Sequence, residues 1–240
     1  MIEFHPLGSG LTALPPLSLY VHLPWCVQKC PYCDFNSHQS SPQGLPEEAY
    51  IQALLQDLEH ELPHIWGRSV ETIFIGGGTP SLFQAASIDK LLAGIRARVR
   101  LLPNAEITME ANPGTFERER FAGFAAAGVN RLSLGVQSFQ PEHLQALGRI
   151  HDDKQAMTAI EAACKLFPRF NVDLMYALPK QSIEQAVPDV QTAIDLGAPH
   201  ISVYQLTLAP NTAFGHTPPK NLPDDATFID IVFVFTFIAF

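Results

Sequence analysis

The chain has 240 residues, 47% of them apolar and 16% charged, with 15 Lys and Arg against 24 Asp and Glu for a net charge of -9 at pH 7. That apolar share can fill a core and excludes disorder over most of the chain. The acidic balance excludes a general electrostatic footprint for nucleic acid or an anionic membrane.

Residues 1–16, with Glu3, His5, two glycines and three prolines, match neither a signal peptide nor a transit sequence, so they read as an N-terminal extension of a cytoplasmic protein. From residue 17 onward, short β-branched or alternating runs alternate with stretches of helical spacing. The predicted strands are 17–23, 70–75, 106–110, 131–136, 171–175 and 200–206. The predicted helices are 46–62, 88–99, 116–127, 141–147 with 154–166, and 184–196. In the first of them Tyr50, Leu54, Leu58 and Leu62 stand four apart on one face, and Pro63 marks its end. Six strands over residues 17–206 give about 32 residues per unit, the size of a βαβ repeat. This α/β pattern is too short for a closed eight-stranded barrel. A partial barrel and an open doubly wound sheet remain, and both bind ligands at the carboxyl ends of their strands. Beyond residue 215, Pro218, Pro219 and Pro223 mark an irregular segment, and the apolar run 228–240, at 13 residues, is shorter than the roughly 18 that a membrane helix needs. Within it Phe233, Phe235 and Phe237 alternate with Val234 and Thr236, the pattern of a buried strand or of an aggregation-prone segment.

Chemistry concentrates at the strand ends. Cys26, Cys30 and Cys33 form CxxxCxxC directly after the first strand, and Pro24 and Pro31 exclude a regular helix there, so the thiols are expected to converge from a loop. Three soft thiolates suit an iron–sulfur cluster, or a zinc ion completed by His22 or His38, although structural zinc favours paired CxxC groups. Three ligands are one short of saturating a cubane cluster, and an open iron can bind a substrate. After the second strand, Gly76, Gly77 and Gly78 precede Thr79 and Pro80, a turn that lets backbone approach a ligand closely. Glu110 closes the third strand, Gln137 follows the fourth, and Asp173 lies within the fifth. Such residues need partners: either Arg149 pairs with Asp173 or Glu110 in a buried network, or all of them contact a ligand. Cys164, among apolar neighbours in a helix, reads as a buried inert thiol. Trp25 and Phe35 flank the cysteines and are expected to shield whatever they hold.

The cysteine spacing resembles the radical S-adenosylmethionine (radical SAM) superfamily, which implies a partial (β/α)6 TIM-like barrel over residues 17–215, a 4Fe-4S cluster and SAM. Taken together, residues 20–36, Gly-Gly-Gly-Thr-Pro at 76–80, Glu110-Ala-Asn-Pro, Gly135-Val-Gln-Ser-Phe and Leu147-Gly-Arg-Ile-His resemble the oxygen-independent coproporphyrinogen III oxidase family, including its haem-chaperone branch. The resemblance implies cluster ligation by Cys26, Cys30 and Cys33. It implies contacts of Tyr20, Gly77 or Gly78, and Glu110 with the cluster-bound SAM. It further implies contacts of Tyr32, Thr79, Gln137, Arg149 and Asp173 with a second SAM, as in the oxidase. The oxidase form has a further cysteine two positions after the third, where this chain has Phe35. That departure favours the chaperone branch, which implies binding of haem, an acceptor protein for it and an electron donor for the cluster, over oxidation of a porphyrinogen. His22, His38 and His151 fall near the predicted rim as candidates for haem. The family continues with a further domain beyond residue 225, so a truncated or frame-shifted product is expected here.

Overall fold

The computed structural model describes residues 14–65, 67–114 and 117–238. In chain order the strands are β1 (Leu17–Leu23), β2 (Trp25–Cys26), β3 (His38–Gln39), β4 (Ser69–Gly77), β5 (Arg100–Ala111), β6 (Arg131–Gln137), β7 (Arg169–Tyr176) and β8 (Ile201–Gln205). The helices are α1 (Glu47–Glu61), α2 (Ala85–Arg98), α3 (Glu117–Ala127), α4 (Pro141–Ala146), α5 (Asp153–Leu166), α6 (Ile183–Asp195), α7 (Ala213–His216) and α8 (Asp225–Ile238). Six strands form one parallel sheet in the order β1-β4-β5-β6-β7-β8. That order never reverses. A doubly wound sheet needs a reversal to put helices on both faces, whereas right-handed crossovers that always step the same way stack the helices along one face. The sheet therefore curls into a parallel half-barrel.

The core lies between strands and helices. Ile73 and Ile75 of β4, Met109 of β5 and Leu132 and Leu134 of β6 meet Ile88 and Leu92 of α2 and Phe124 of α3, all essentially without solvent contact. The buried face of α1 centres on Ile51, Leu55 and Leu58, with Tyr50, Leu54 and Leu62 flanking it. A capping box starts α5, in which Asp152 Oδ1 accepts the Gln155 N–H at 2.8 Å and Gln155 Oε1 accepts the Asp152 N–H at 3.0 Å.

As far as residue 238, the carboxyl-terminal apolar run is a helix rather than the strand that its alternation suggests. The Asp224 carboxylate accepts the Thr227 N–H at 2.9 Å at its start. Phe228, Ile231 and Phe235 then recur at helical spacing, with Ile231 buried and Phe228 and Phe235 against Tyr176 at ring-centroid distances of 5.8 and 5.6 Å. A continuous apolar run does not by itself separate the two periods. Cys164 is likewise exposed rather than buried: the packed face of α5 is formed by Ala156, Ala159, Ile160 and Ala163, and Cys164 lies off it. Among the described residues no helix is long and apolar enough to cross a membrane.

Candidate functional site

A cavity of about 730 Å³ opens at the carboxyl ends of the sheet, within the size range of small-molecule sites. The loop after β1 forms one wall. β2 and β3 pair parallel and close this loop at its base, with His38 N–H on Pro24 O and Ser40 N–H on Cys26 O, both at 2.7 Å. Inside it, Lys29 Nζ donates to Phe35 O at 2.9 Å, and the Cys33 N–H donates to Cys30 O at 3.1 Å. These bonds hold three free thiols on one short segment, with Cys26 buried and Cys30 and Cys33 half-buried, and all three line the cavity.

The turn after β4 docks on this loop. Gly78 N–H donates to Leu23 O at 2.9 Å and Thr79 N–H to Trp25 O at 2.7 Å. The approach is too close for a side chain: a Cβ on Gly78 would stand 2.5 Å from Trp25 O, and one on Gly77, whose φ is 118°, would stand 2.7 Å from the His22 ring. Glu110 reaches across from β5 to accept the Gly77 N–H at 3.0 Å. Burial pushes its carboxyl up to about 7, against the Gly77 hydrogen bond and with help from the Asp173 charge.

Across the cavity, Gln137 ends β6 with φ 71°, a left-handed conformation that costs a non-glycine residue about 1–3 kcal/mol. Its side-chain oxygen accepts from the Tyr204 hydroxyl, and desolvation holds that phenol and the Tyr32 phenol well above their ordinary pKa. Asp173 accepts from Ser133 Oγ at 2.8 Å and Asn171 Nδ2 at 2.7 Å. Its pKa is raised by burial, which outweighs those bonds.

Arg149 Nη2 donates to Asn112 Oδ1 and Gly135 O, both at 2.7 Å, and Nη1 donates to Cys30 Sγ at 3.5 Å. Among the described residues it makes no ion pair with Asp173 or Glu110. Among the described residues its buried Nε has no hydrogen-bond partner.

The cavity wall thus brings together Cys26, Cys30, Cys33, Tyr32, Gly77 and Gly78, together with Thr79, Glu110, Gln137, Arg149 and Asp173. Tyr20 lies outside the lining, 56% exposed, stacked on Phe74 at 6.2 Å and hydrogen-bonded to His22 Nδ1 at 3.0 Å. None of His22, His38 and His151 lines the cavity. His22 Nε2 bonds to Asn36 O at 2.8 Å, His38 is exposed on β3, and His151 is buried with Nε2 on Val136 O at 3.1 Å. Trp25 packs edge-on against Tyr50 at 4.6 Å, away from the cavity lining, whereas Phe35 lines the cavity and is 57% exposed. Asn112, Ser133, Asn171 and Tyr204 also line the wall. Asn112 stood in plain view inside Glu110-Ala-Asn-Pro, and the polar alternation of Ser202 and Tyr204 on β8 was the signal for Tyr204.

The donor set fits a cluster better than a single ion. Among the described residues no three His, Cys, Asp or Glu side chains converge closely enough to hold one metal ion. A cubane spreads its thiolates over separate irons, and Cys26, Cys30 and Cys33 would be the three thiolates to hold it.

The radical SAM superfamily model matches residues 20–193, and the chain belongs to that superfamily. Membership implies a 4Fe-4S cluster and SAM as cofactors. The chain is 55% identical over 222 residues to the heme chaperone HemW of Escherichia coli (strain K12), covering 92% of this chain and 58% of that protein. It is 54% identical over 223 residues to the heme chaperone HemW of Haemophilus influenzae, over 91% of this chain and 58% of that one. The fold superposes on coproporphyrinogen III oxidase (HemN) from Escherichia coli, described as a radical SAM enzyme, with a TM-score of 0.83 and 31% identity over 93% of this chain and 52% of that one. The chain therefore spans little more than half the length of these relatives.

Proposed function

We propose that this chain is the radical SAM portion of a haem chaperone, which binds haem and passes it to an acceptor protein. The observation that carries the reading is the joining, in one cavity, of three free cysteines with Glu110, Gln137, Arg149 and Asp173. The 55% identity to a heme chaperone and Phe35 at the place of the oxidase's additional cysteine support it.

In this reading Cys26, Cys30 and Cys33 ligate the cluster. When bound and reduced by an external one-electron donor, it supplies the electron for reductive cleavage of SAM. Gly77 and Gly78 present backbone without side chains, and Glu110 receives a cationic amino group, which would draw its carboxyl back to the ionised form. Arg149 offers its guanidinium charge to a carboxylate. Gln137 and Asp173 form the opposite wall for adenosine hydroxyls, Tyr32 and Thr79 flank the cysteines, and Tyr20 orders the rim beside Glu110. A second reading, radical oxidation of a porphyrinogen, draws on the presence in the same cavity of Tyr32, Thr79, Gln137, Arg149 and Asp173, the positions that match a second SAM.

Anaerobic reconstitution with iron and sulfide, followed by electron paramagnetic resonance with and without SAM, tests the centre. A four-iron signal perturbed by SAM is expected, and Cys30→Ala should lose it; zinc in place of iron, or unchanged iron in the variant, refutes the ligand assignment. Absorbance titration with haem should then show a bound species that an apo-acceptor depletes. Absence of haem binding, with decarboxylation of coproporphyrinogen under reducing conditions, would select the second reading.

A further inference from the structure

Four side chains from four different segments form one run of hydrogen bonds along the cavity wall. Asn112 Nδ2 donates to Thr79 Oγ1 at 3.0 Å, Arg149 Nη2 donates to Asn112 Oδ1 at 2.7 Å, and Arg149 Nη1 donates to Cys30 Sγ at 3.5 Å. The polarity of this run is fixed by chemistry. A guanidinium has no acceptor, so Asn112 must turn its oxygen to Arg149 and its NH2 to Thr79.

We infer that Asn112 is a positioning residue which holds the Arg149 guanidinium against the Cys30 sulfur, and that this contact raises the reduction potential of the cluster. The inference rests on the reading of Cys30 as a cluster ligand. Three observations carry it. Arg149 Nη2 is shared between Asn112 Oδ1 and Gly135 O, which fixes the plane of the guanidinium and leaves Nη1 on the sulfur. Among the described residues no carboxylate pairs with Arg149, so its charge is not cancelled locally. Position 135 is a glycine whose Cβ would stand 2.6 Å from Asn112 Oδ1, so any side chain there would push Asn112 off the arginine.

The sign follows from charge. One-electron reduction adds negative charge to the cluster and its thiolates, and a donated N–H and a cation beside one sulfur stabilise the reduced form more than the oxidised one. Removing the support should make the cluster harder to reduce.

The test is a potentiometric titration of the reconstituted protein with dithionite, in the absence of SAM, followed by electron paramagnetic resonance. Asn112→Leu should keep its iron but reduce with an equilibrium constant about tenfold lower, or 59 mV for a one-electron couple. Arg149→Gln should fall at least as far, and the double variant no further than Arg149→Gln alone, because Asn112 acts through the arginine. Should Asn112→Leu not fold, Gly135→Ala applies the same displacement from the other side. A loaded cluster whose potential is unmoved in Asn112→Leu or Gly135→Ala overturns the inference while leaving the ligand assignment intact. So does an equal fall in Asn130→Ser, whose Asn130 bonds Ile107 N and Ala105 O at the opposite end of the strands. Wild-type protein that takes up no cluster overturns the ligand assignment and this inference with it.

Discussion

Replacing Glu110 by Gln isolates the cost of ionising a carboxyl inside the cavity. Glu110 lifts from an ordinary 4.5 to about 7 because burial penalises its charge, and the single Gly77 hydrogen bond does not compensate. Between those two values the folded chain holds a proton that the unfolded chain has released. Stability therefore falls as pH rises across that window and levels off above it. Each tenfold difference in proton affinity is worth about 1.4 kcal/mol, so the full displacement integrates to about 3 kcal/mol. The Gln side chain keeps the shape, its amide oxygen still accepts the Gly77 N–H, and it cannot ionise. In metal-free protein, urea unfolding followed from pH 4.5 to 7.5 should show the wild type losing about 3 kcal/mol relative to Glu110→Gln. The comparison with the variant cancels other groups that titrate in the same range. Two parallel stability curves would refute the assignment of the raised pKa to burial at this site.

Two further substitutions test the walls. Gly78→Ala places a methyl group 2.5 Å from Trp25 O, and since that neighbour is backbone the cysteine loop must move. It should lower stability by about 1–3 kcal/mol in denaturant and reduce iron uptake on reconstitution, and an unchanged midpoint would mean that the turn and the loop are not packed as described. Asp189→Ala strips two hydrogen bonds from the segment after Gln137, from Ser138 Oγ at 2.7 Å and Phe139 N–H at 2.8 Å. Leaving those buried donors unpaired should cost about 1–3 kcal/mol. A thermal midpoint equal to the wild type would show that this segment is held by other contacts.

The sheet was legible because its physical signal is local. Each buried strand of a parallel half-barrel reads as a short apolar run, and each crossover helix as a 3.6-residue stripe, so all six principal strands fall where the pattern puts them. Strand ends were less exact: β5 begins at Arg100, six residues before the predicted start, because its first half pairs with β4 at only Ser69 and Val70 before the register shifts. The cysteines, the glycine turn and the polar strand ends were legible for a related reason, since chemistry that violates burial rules stands out in an apolar strand. What sequence could not show was pairing across the barrel. Asn112 has no anomaly of its own, and its importance lies in bonds to Thr79 and Arg149, 33 and 37 positions away. The β2–β3 pairing that closes the cysteine loop escaped because each partner is two residues long and has no period to detect.

The hydrogen bonds along the cavity wall differ in how far they satisfy its charged residues. Both oxygens of Asp173 are already occupied, by Ser133 and by Asn171, and Asn171 is itself held by Ser202 and His200. Each of those oxygens keeps a further lone pair, and burial still raises the Asp173 pKa, so this layer is braced by the protein and remains able to receive a ligand. Arg149 and Glu110 differ. Among the described residues the buried Arg149 Nε has no partner, and Glu110 is held near neutrality by burial with one oxygen on Gly77. A cation beside Glu110 and an anion beside Arg149 would each offset the cost of burying these groups. A bound amino acid moiety presents one charge of each sign, and it would meet the Glu110 carboxyl and the Arg149 guanidinium with charges opposite to theirs.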